Sequence, residues 1–249
     1  MDNVLCIVVP LKDDNPVKIT PYVTYGLIAI NVLVFLYELT LSPMELSSFF
    51  RTWAVVPEQL TEAFQGGGFT IFTLHEWFTL ISAQFMHAGF LHIGGNMLYL
   101  WVFGNNVEEE LGHVRFVLFY LVCGTLATLA QWFFGMYSEV PSLGASGAIA
   151  GVMGAYIFRF PDVRILTVIP LGFFFFPLRI PAMFYLGIWF LQQASYGLAS
   201  LNTPANIGMA EGGVAYWAHA GGFVFGAILG PLLGLIDRSN ERFSSDLDG

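Results

Sequence analysis

Six stretches of this chain contain no Asp, Glu, Lys or Arg: Pro21 to Tyr37, Trp77 to Val107, Phe116 to Ser138, Val140 to Phe158, Ile180 to Ala210 and Gly212 to Ile236. Each can supply the roughly 17 to 25 apolar residues that a helix needs to cross a bilayer. Of the 249 residues, 56% are hydrophobic and 11% charged, against roughly 25% charged in a soluble domain. Water is therefore not the main solvent for this chain. The expected fold is all-α, a polytopic membrane protein with a bundle of six transmembrane helices. A seventh apolar run, Ile165 to Leu178, is too short for an ordinary span and contains Pro170 and Pro177. It is expected to form a surface-lying or hairpin connection.

Orientation follows from the placement of Lys and Arg, not from net charge. With the N-terminus cytoplasmic, six spans put Lys12, Lys18, Arg115, Arg159, Arg164, Arg179, Arg238 and Arg242 inside and leave Arg51 alone outside. The expected organisation is a cytoplasmic segment over residues 1–20, a membrane domain over 21–236 and a cytoplasmic tail over 237–249. The expected location is a bacterial plasma membrane. Asp2, Asp13 and Asp14 near the start do not resemble the basic region of a secretory signal, so the spans themselves would direct insertion. A net charge of −9 argues against a nucleic-acid partner. Cys6 and Cys123 are too distant in the chain's organisation to form a bridge.

The longest polar connection, about residues 40–77, is expected to be an outer loop whose Trp53, Phe69, Phe72 and Trp77 dip into the interface, where aromatics are favoured. The run Glu108, Glu109, Glu110 reads as a solvated inner turn. Gly222, Gly226, Gly230 and Gly234 recur every fourth residue, and Gly144, Gly147, Gly151 and Gly154 every third or fourth. Such small-residue stripes let helix backbones approach closely in lipid, which predicts that the fourth and sixth spans are neighbours. The connection from Leu201 to Gly213, with Gly208, Gly212 and Gly213, is the expected moving lid.

Strongly polar groups within apolar spans default to functional hypotheses because they are costly there. They are few: His87, His92 and Asn96 around the second span, Ser146 on the fourth and His219 on the sixth. Taken singly, each has an ordinary structural explanation, such as a helix cap, a bridge between helices or a satisfied interior histidine. Taken together, they do not. The second, fourth and sixth spans all run from outside to inside. With helix starts at Val140 and Gly212, a rise of about 1.5 Å per residue puts Ser146 and His219 at a common depth of roughly 10 Å. His92 and Asn96 share a helix face four residues apart and join that layer if their helix begins near Gly89. A serine hydroxyl needs an adjacent base to take its proton during attack, and His219 can be that base for Ser146. The charge-free stretches hold no carboxylate to orient the imidazole, so the expected constellation is a Ser–His dyad.

Gly144-Ala145-Ser146-Gly147 resembles the GxSG motif of rhomboid proteases, Ala218-His219-Ala220-Gly221-Gly222 their AH motif, and His92 with Asn96 their HxxxN element. The order along the chain agrees, and the resemblance covers nearly all of it. It implies a rhomboid-like six-helix bundle with Ser146 as nucleophile, His219 as general base, and His92 with Asn96 around the oxyanion. The implied activity is serine endopeptidase cleavage of single-span membrane proteins near the outer face of the bilayer. No cofactor or metal is expected, since no HExxH and no carboxylate ligand lies within the spans. Two positions depart from the pattern: Trp77 is followed by Phe78 where some members carry arginine, and Ala150 stands where some carry a tyrosine that stacks on the histidine. His219 is then expected to be positioned by close glycine packing, by Tyr216 or by Trp217.

Overall fold

The computed structural model describes residues 9–71, 73–171, 174–201 and 215–235. Cys6, Phe72, Arg238 and Arg242 lie outside these residues, as does nearly all of the expected lid. Six helices form the bundle: α1 (Tyr22–Glu38), α5 (Phe90–Leu111), α6 (His113–Phe134), α7 (Ser146–Arg159), α8 (Ala182–Ser200) and α9 (Tyr216–Leu232). Among the described residues α6 has both the length and the hydropathy to cross a membrane, and α1 is a shorter apolar helix. The helix α5 matches α6 in length but carries Asn96, Asn105, Asn106 and three glutamates.

The connection over 40–77 is not an irregular loop. It holds α2 (Pro43–Trp53), α3 (Pro57–Gln65) and the start of α4 (Leu74–Ser82), followed by a single 3-10 turn over Ala83–Phe85. Local chemistry explains these starts. Ser42 and Glu45 form a reciprocal capping box ahead of Pro43, satisfying donors the first turn leaves open, and Pro57 occupies the first turn of α3. In place of an arginine beside Trp77, the segment is tied by Trp77 Nε1 donating to the Gly68 carbonyl at 3.3 Å and by His75 Nε2 bonded to the Thr52 carbonyl at 2.7 Å. Phe69 and Ile71 are exposed on it.

At the opposite end of α7 lies a three-stranded antiparallel sheet in the order β1-β2-β3, formed by β1 (Val9–Asp13), β2 (Arg164–Leu171) and β3 (Phe174–Pro181). The run Ile165 to Leu178 thus takes the hairpin alternative, with Arg164 opposite Pro181 and Leu171 opposite Phe174. An all-α description omits this sheet. It is joined to the bundle by Asp13, whose carboxylate accepts from the Tyr156 hydroxyl at 2.5 Å and from Asn106 Nδ2 at 2.9 Å.

The run Glu108 to Glu110 is no solvated turn either. Glu108 is fully buried and accepts from the backbone N–H groups of Val23 and Thr24 at 2.9 and 2.7 Å and from the Thr24 hydroxyl at 2.6 Å. A carboxylate there satisfies the open donors of the α1 N-terminus and complements its dipole. The turn itself is Gly112, at φ +76°, which ends α5 and starts α6 in a backbone conformation that disfavours any residue with a Cβ.

The glycine stripes do what their spacing implies: α7 packs directly on α9. A Cβ on Gly222 would stand 2.2 Å from the Gly147 carbonyl oxygen, and one on Gly154 would stand 2.0 Å from that of Phe223.

Candidate active site

The site is assembled from the N-terminal ends of three helices. The strand-like approach to α7 is pinned twice, by Ser142 exchanging backbone hydrogen bonds with Val55 at 2.7 and 3.1 Å and by the Gly144 N–H donating to the Ala83 carbonyl at 2.9 Å. Gly144 has φ +123°, and a Cβ there would lie 2.7 Å from His92 Nε2 and 3.8 Å from Ser146 Oγ. Glycine is thus required for backbone conformation and for space. The same numbers place the His92 ring and the Ser146 hydroxyl around one point.

Ser146 is the first residue of α7. A Val140 start is therefore too early, and so is one at Gly212, because α9 begins at Tyr216 and carries His219 in its first turn. Ser146 and His219 do share a level, but it is the first turn of each helix and not a depth of two turns. The difference has a chemical consequence: the opening N–H groups of an α-helix have no intrahelical partner, and those of α7 flank the Ser146 hydroxyl. Gly89 caps α5 as expected, so His92 and Asn96 occupy its first two turns, with Asn96 Nδ2 donating to the His92 carbonyl at 2.9 Å.

Ser146, His219, His92 and Asn96 all line one cavity of about 910 Å³, together with Tyr99, Met153 and Trp189. That size falls in the range of small-molecule and cofactor pockets. His87, also singled out by its polarity, is not among the lining residues. It is buried behind His92, their rings edge to face at 5.0 Å, and its backbone N–H donates to the Glu38 carboxylate at 3.3 Å.

Tautomers follow from the partners. The Ala88 N–H donates to His92 Nδ1 at 3.4 Å, so a neutral His92 ring carries its hydrogen on Nε2, the nitrogen facing Gly144 and Ser146. His219 Nδ1 lies 2.8 Å from Gln193 Oε1. An amide oxygen can only accept, so Nδ1 carries the hydrogen and Nε2 is left with a free lone pair.

The contacts of His219 were not legible in the sequence. Tyr216 faces Tyr196 at 5.1 Å, and Trp217 stacks on Phe134 at 3.8 Å, so neither positions the imidazole. Ala150 is buried in the helix core. The aromatic beside the imidazole is Trp189 of α8, at 5.7 Å and tilted by 34°, with Gln193 one turn further along. A second glutamine, Gln131 of α6, accepts from the backbone N–H groups of Trp217 and Ala218 at 3.2 and 3.3 Å, holding the start of α9. Both glutamines lie within charge-free stretches, Gln193 directly after Gln192, and neither carries the charge expected of a group that orients a histidine.

The family model described as Rhomboid domain matches residues 74–236. The chain is 32% identical over 156 residues to Rhomboid protein 1, mitochondrial, of Saccharomyces cerevisiae, covering 61% of this chain and 40% of that one. It is 41% identical over 83 residues to rhomboid protease GluP of Bacillus subtilis, covering 33% of this chain and 16% of that one. Rhomboid-like protein 11, chloroplastic, of Arabidopsis thaliana is 32% identical over 156 residues, 61% of this chain and 51% of its own length. The chain thus spans about half the length of these curated relatives or less.

Proposed function

The chain belongs to the rhomboid family, and from that premise we propose that it is an intramembrane serine endopeptidase in which Ser146 is the nucleophile and His219 the general base. The observation that carries this reading is the convergence of Ser146, His219, His92 and Asn96, from three different helices, on one cavity. Ser146 Oγ attacks the carbonyl carbon of the scissile peptide while His219 Nε2 takes its proton. The negative charge that develops on the carbonyl oxygen faces His92 Nε2–H, the Asn96 amide and the opening N–H groups of α7. Such donors act without reorganisation where water is excluded. Collapse breaks the C–N bond, the imidazolium returns its proton to the leaving amine, and a water molecule hydrolyses the ester by the same route.

Six spans, formed by α1 and α5 to α9, with both termini cytoplasmic complete the proposal. The Ser146 end of the bundle then faces outward with α2 to α4, and the three-stranded sheet lies on the cytoplasmic side of a plasma membrane. Substrates are single-span membrane proteins, cut near the outer face at segments rich in glycine, proline or other poor helix formers, because a peptide bond in an intact helix is shielded by its own ladder.

The test is incubation of the purified chain in detergent with a single-span substrate, beside its Ser146→Ala form. Cleavage should be abolished in the variant, and a fluorophosphonate should leave its adduct on Ser146 by mass spectrometry. An adduct confined to another serine would overturn the assignment.

A further inference from the structure

Resting on the proteolytic reading above, we propose that Gln193 is the positioning residue of the general base. It occupies the place that a carboxylate holds in a Ser–His–Asp triad, and it does so without charge. The Gln193 side chain is buried on α8, and its Oε1 lies 2.8 Å from His219 Nδ1.

The chemistry of the pair determines what it does. Neutral imidazole carries one hydrogen, on either nitrogen, and only the tautomer protonated at Nδ1 leaves Nε2 able to accept the serine proton. In water the opposite tautomer is the commoner one, so a catalytic histidine needs a partner that selects the productive form. An aspartate serves in the familiar triads, where it also stabilises the imidazolium. In a bundle whose apolar stretches hold no Asp or Glu, an ionised carboxylate would incur a large desolvation cost. The amide oxygen of Gln193 accepts the same Nδ1–H hydrogen bond and selects the same tautomer at lower cost.

The fold holds this acceptor in place through α8. Trp189 and Gln193 are four residues apart and so lie on one helix face. The first sets its ring against the imidazole at 5.7 Å, and the second binds Nδ1. Neighbouring rings fasten α8 to α9 on both sides of this point: Phe190 stacks on Phe223 at 4.9 Å, and Tyr196 meets Tyr216 at 5.1 Å. The imidazole ring is therefore carried by α9 but oriented by α8.

Two substitutions separate positioning from packing. Gln193→Met keeps length and volume but removes the acceptor, whereas Gln193→Glu keeps an acceptor oxygen on the same carbon. With the full chain in detergent and a single-span substrate, Gln193→Met should lower kcat by about tenfold or more. KM should stay within about twofold and the thermal midpoint should not move, because tautomer selection acts on the chemical step. Labelling of Ser146 by a fluorophosphonate should slow in parallel, and Gln193→Glu should recover a substantial part of both rates. Nitrogen NMR of histidine-labelled protein reads the tautomer without any turnover. The wild-type His219 should be protonated at Nδ1, and Gln193→Met should shift it toward the Nε2 form. An unchanged tautomer, or a Gln193→Met form as active as wild type, overturns the assignment. A Gln193-dependent tautomer in a wild-type chain that cleaves nothing would sink the proteolytic reading and leave the positioning role standing.

Discussion

A Cβ built on Gly226 would lie 1.8 Å from the carbonyl oxygen of Gly151, so α7 and α9 meet there backbone to backbone. Gly222 repeats the contact one turn earlier against Gly147, immediately below Ser146 and His219. This seam holds Ser146 and His219 at a common level. A carbonyl oxygen cannot rotate aside as a side-chain end can, so Gly226→Ala must separate the helices. The expected result is a loss of about 1 to 3 kcal/mol or more, seen as a lower thermal midpoint in detergent, with cleavage lost. Gly26→Ala on α1, where nothing lies within 4 Å, should leave both unchanged.

Gly144 is constrained by its conformation and by His92. The Gly144→Ala chain should fold, because the strain is confined to one residue at the approach to α7, but the displaced backbone and ring should reduce cleavage to background. Labelling of Ser146 by a small fluorophosphonate should fall with it. Retained labelling with lost cleavage would show that only substrate access had been disturbed.

In the proposed mechanism Asn96, which lines the cavity, is one of the oxyanion donors, and Asn96→Ala tests that role. Turnover should fall by roughly a hundredfold or more, and the thermal midpoint should hardly move. If both fall together, Asn96 supports the fold through its bond within α5 and is not an oxyanion donor.

Sidedness can be read with cysteines in a Cys6→Ser, Cys123→Ala background. Glu62 on α3 and Asp162 beyond α7 are both exposed and stand at opposite ends of the bundle. Glu62→Cys should react with an impermeant maleimide in intact cells, and Asp162→Cys only after lysis. Equal reactivity would overturn the proposed topology.

Asp13, in the sheet, offers a pH signature. Burial, the dominant influence, raises its carboxyl above the usual 3.8, offset in part by the Tyr156 hydrogen bond. The folded chain then binds this proton more tightly than the unfolded chain. The stabilisation is fully present below the unfolded value and is lost as pH rises through the folded one. The thermal midpoint of wild type relative to Asp13→Asn should therefore decline as pH is raised from about 4 toward neutrality. A difference independent of pH would place Asp13 in a solvated position.

What the sequence determined by itself was the part of this protein written in local composition and spacing. Charge-free runs locate the long helices, the glycine periods of three and four predict the α7 and α9 contact, and the prolines of Ile165 to Leu178 turn that run away from spanning. Ser146, His219, His92 and Asn96 are legible as polar residues set within these apolar runs. Tertiary structure decided the rest, because those features depend on groups far apart in the chain. The helix starts at Ser146 and Tyr216 follow from pinning by Val55 and Ala83 and from Gln131, none of them local to the helix they start. Glu108 looks like a solvated charge until the open N–H groups of Val23 and Thr24 arrive to bind it. Gln193, 26 residues before His219, carries no charge, lies in no motif and shares no periodicity with it. Only the packing of α8 against α9 brings its amide oxygen to the imidazole, and a hydrogen bond between neutral groups on different helices leaves no mark on the spacing of either.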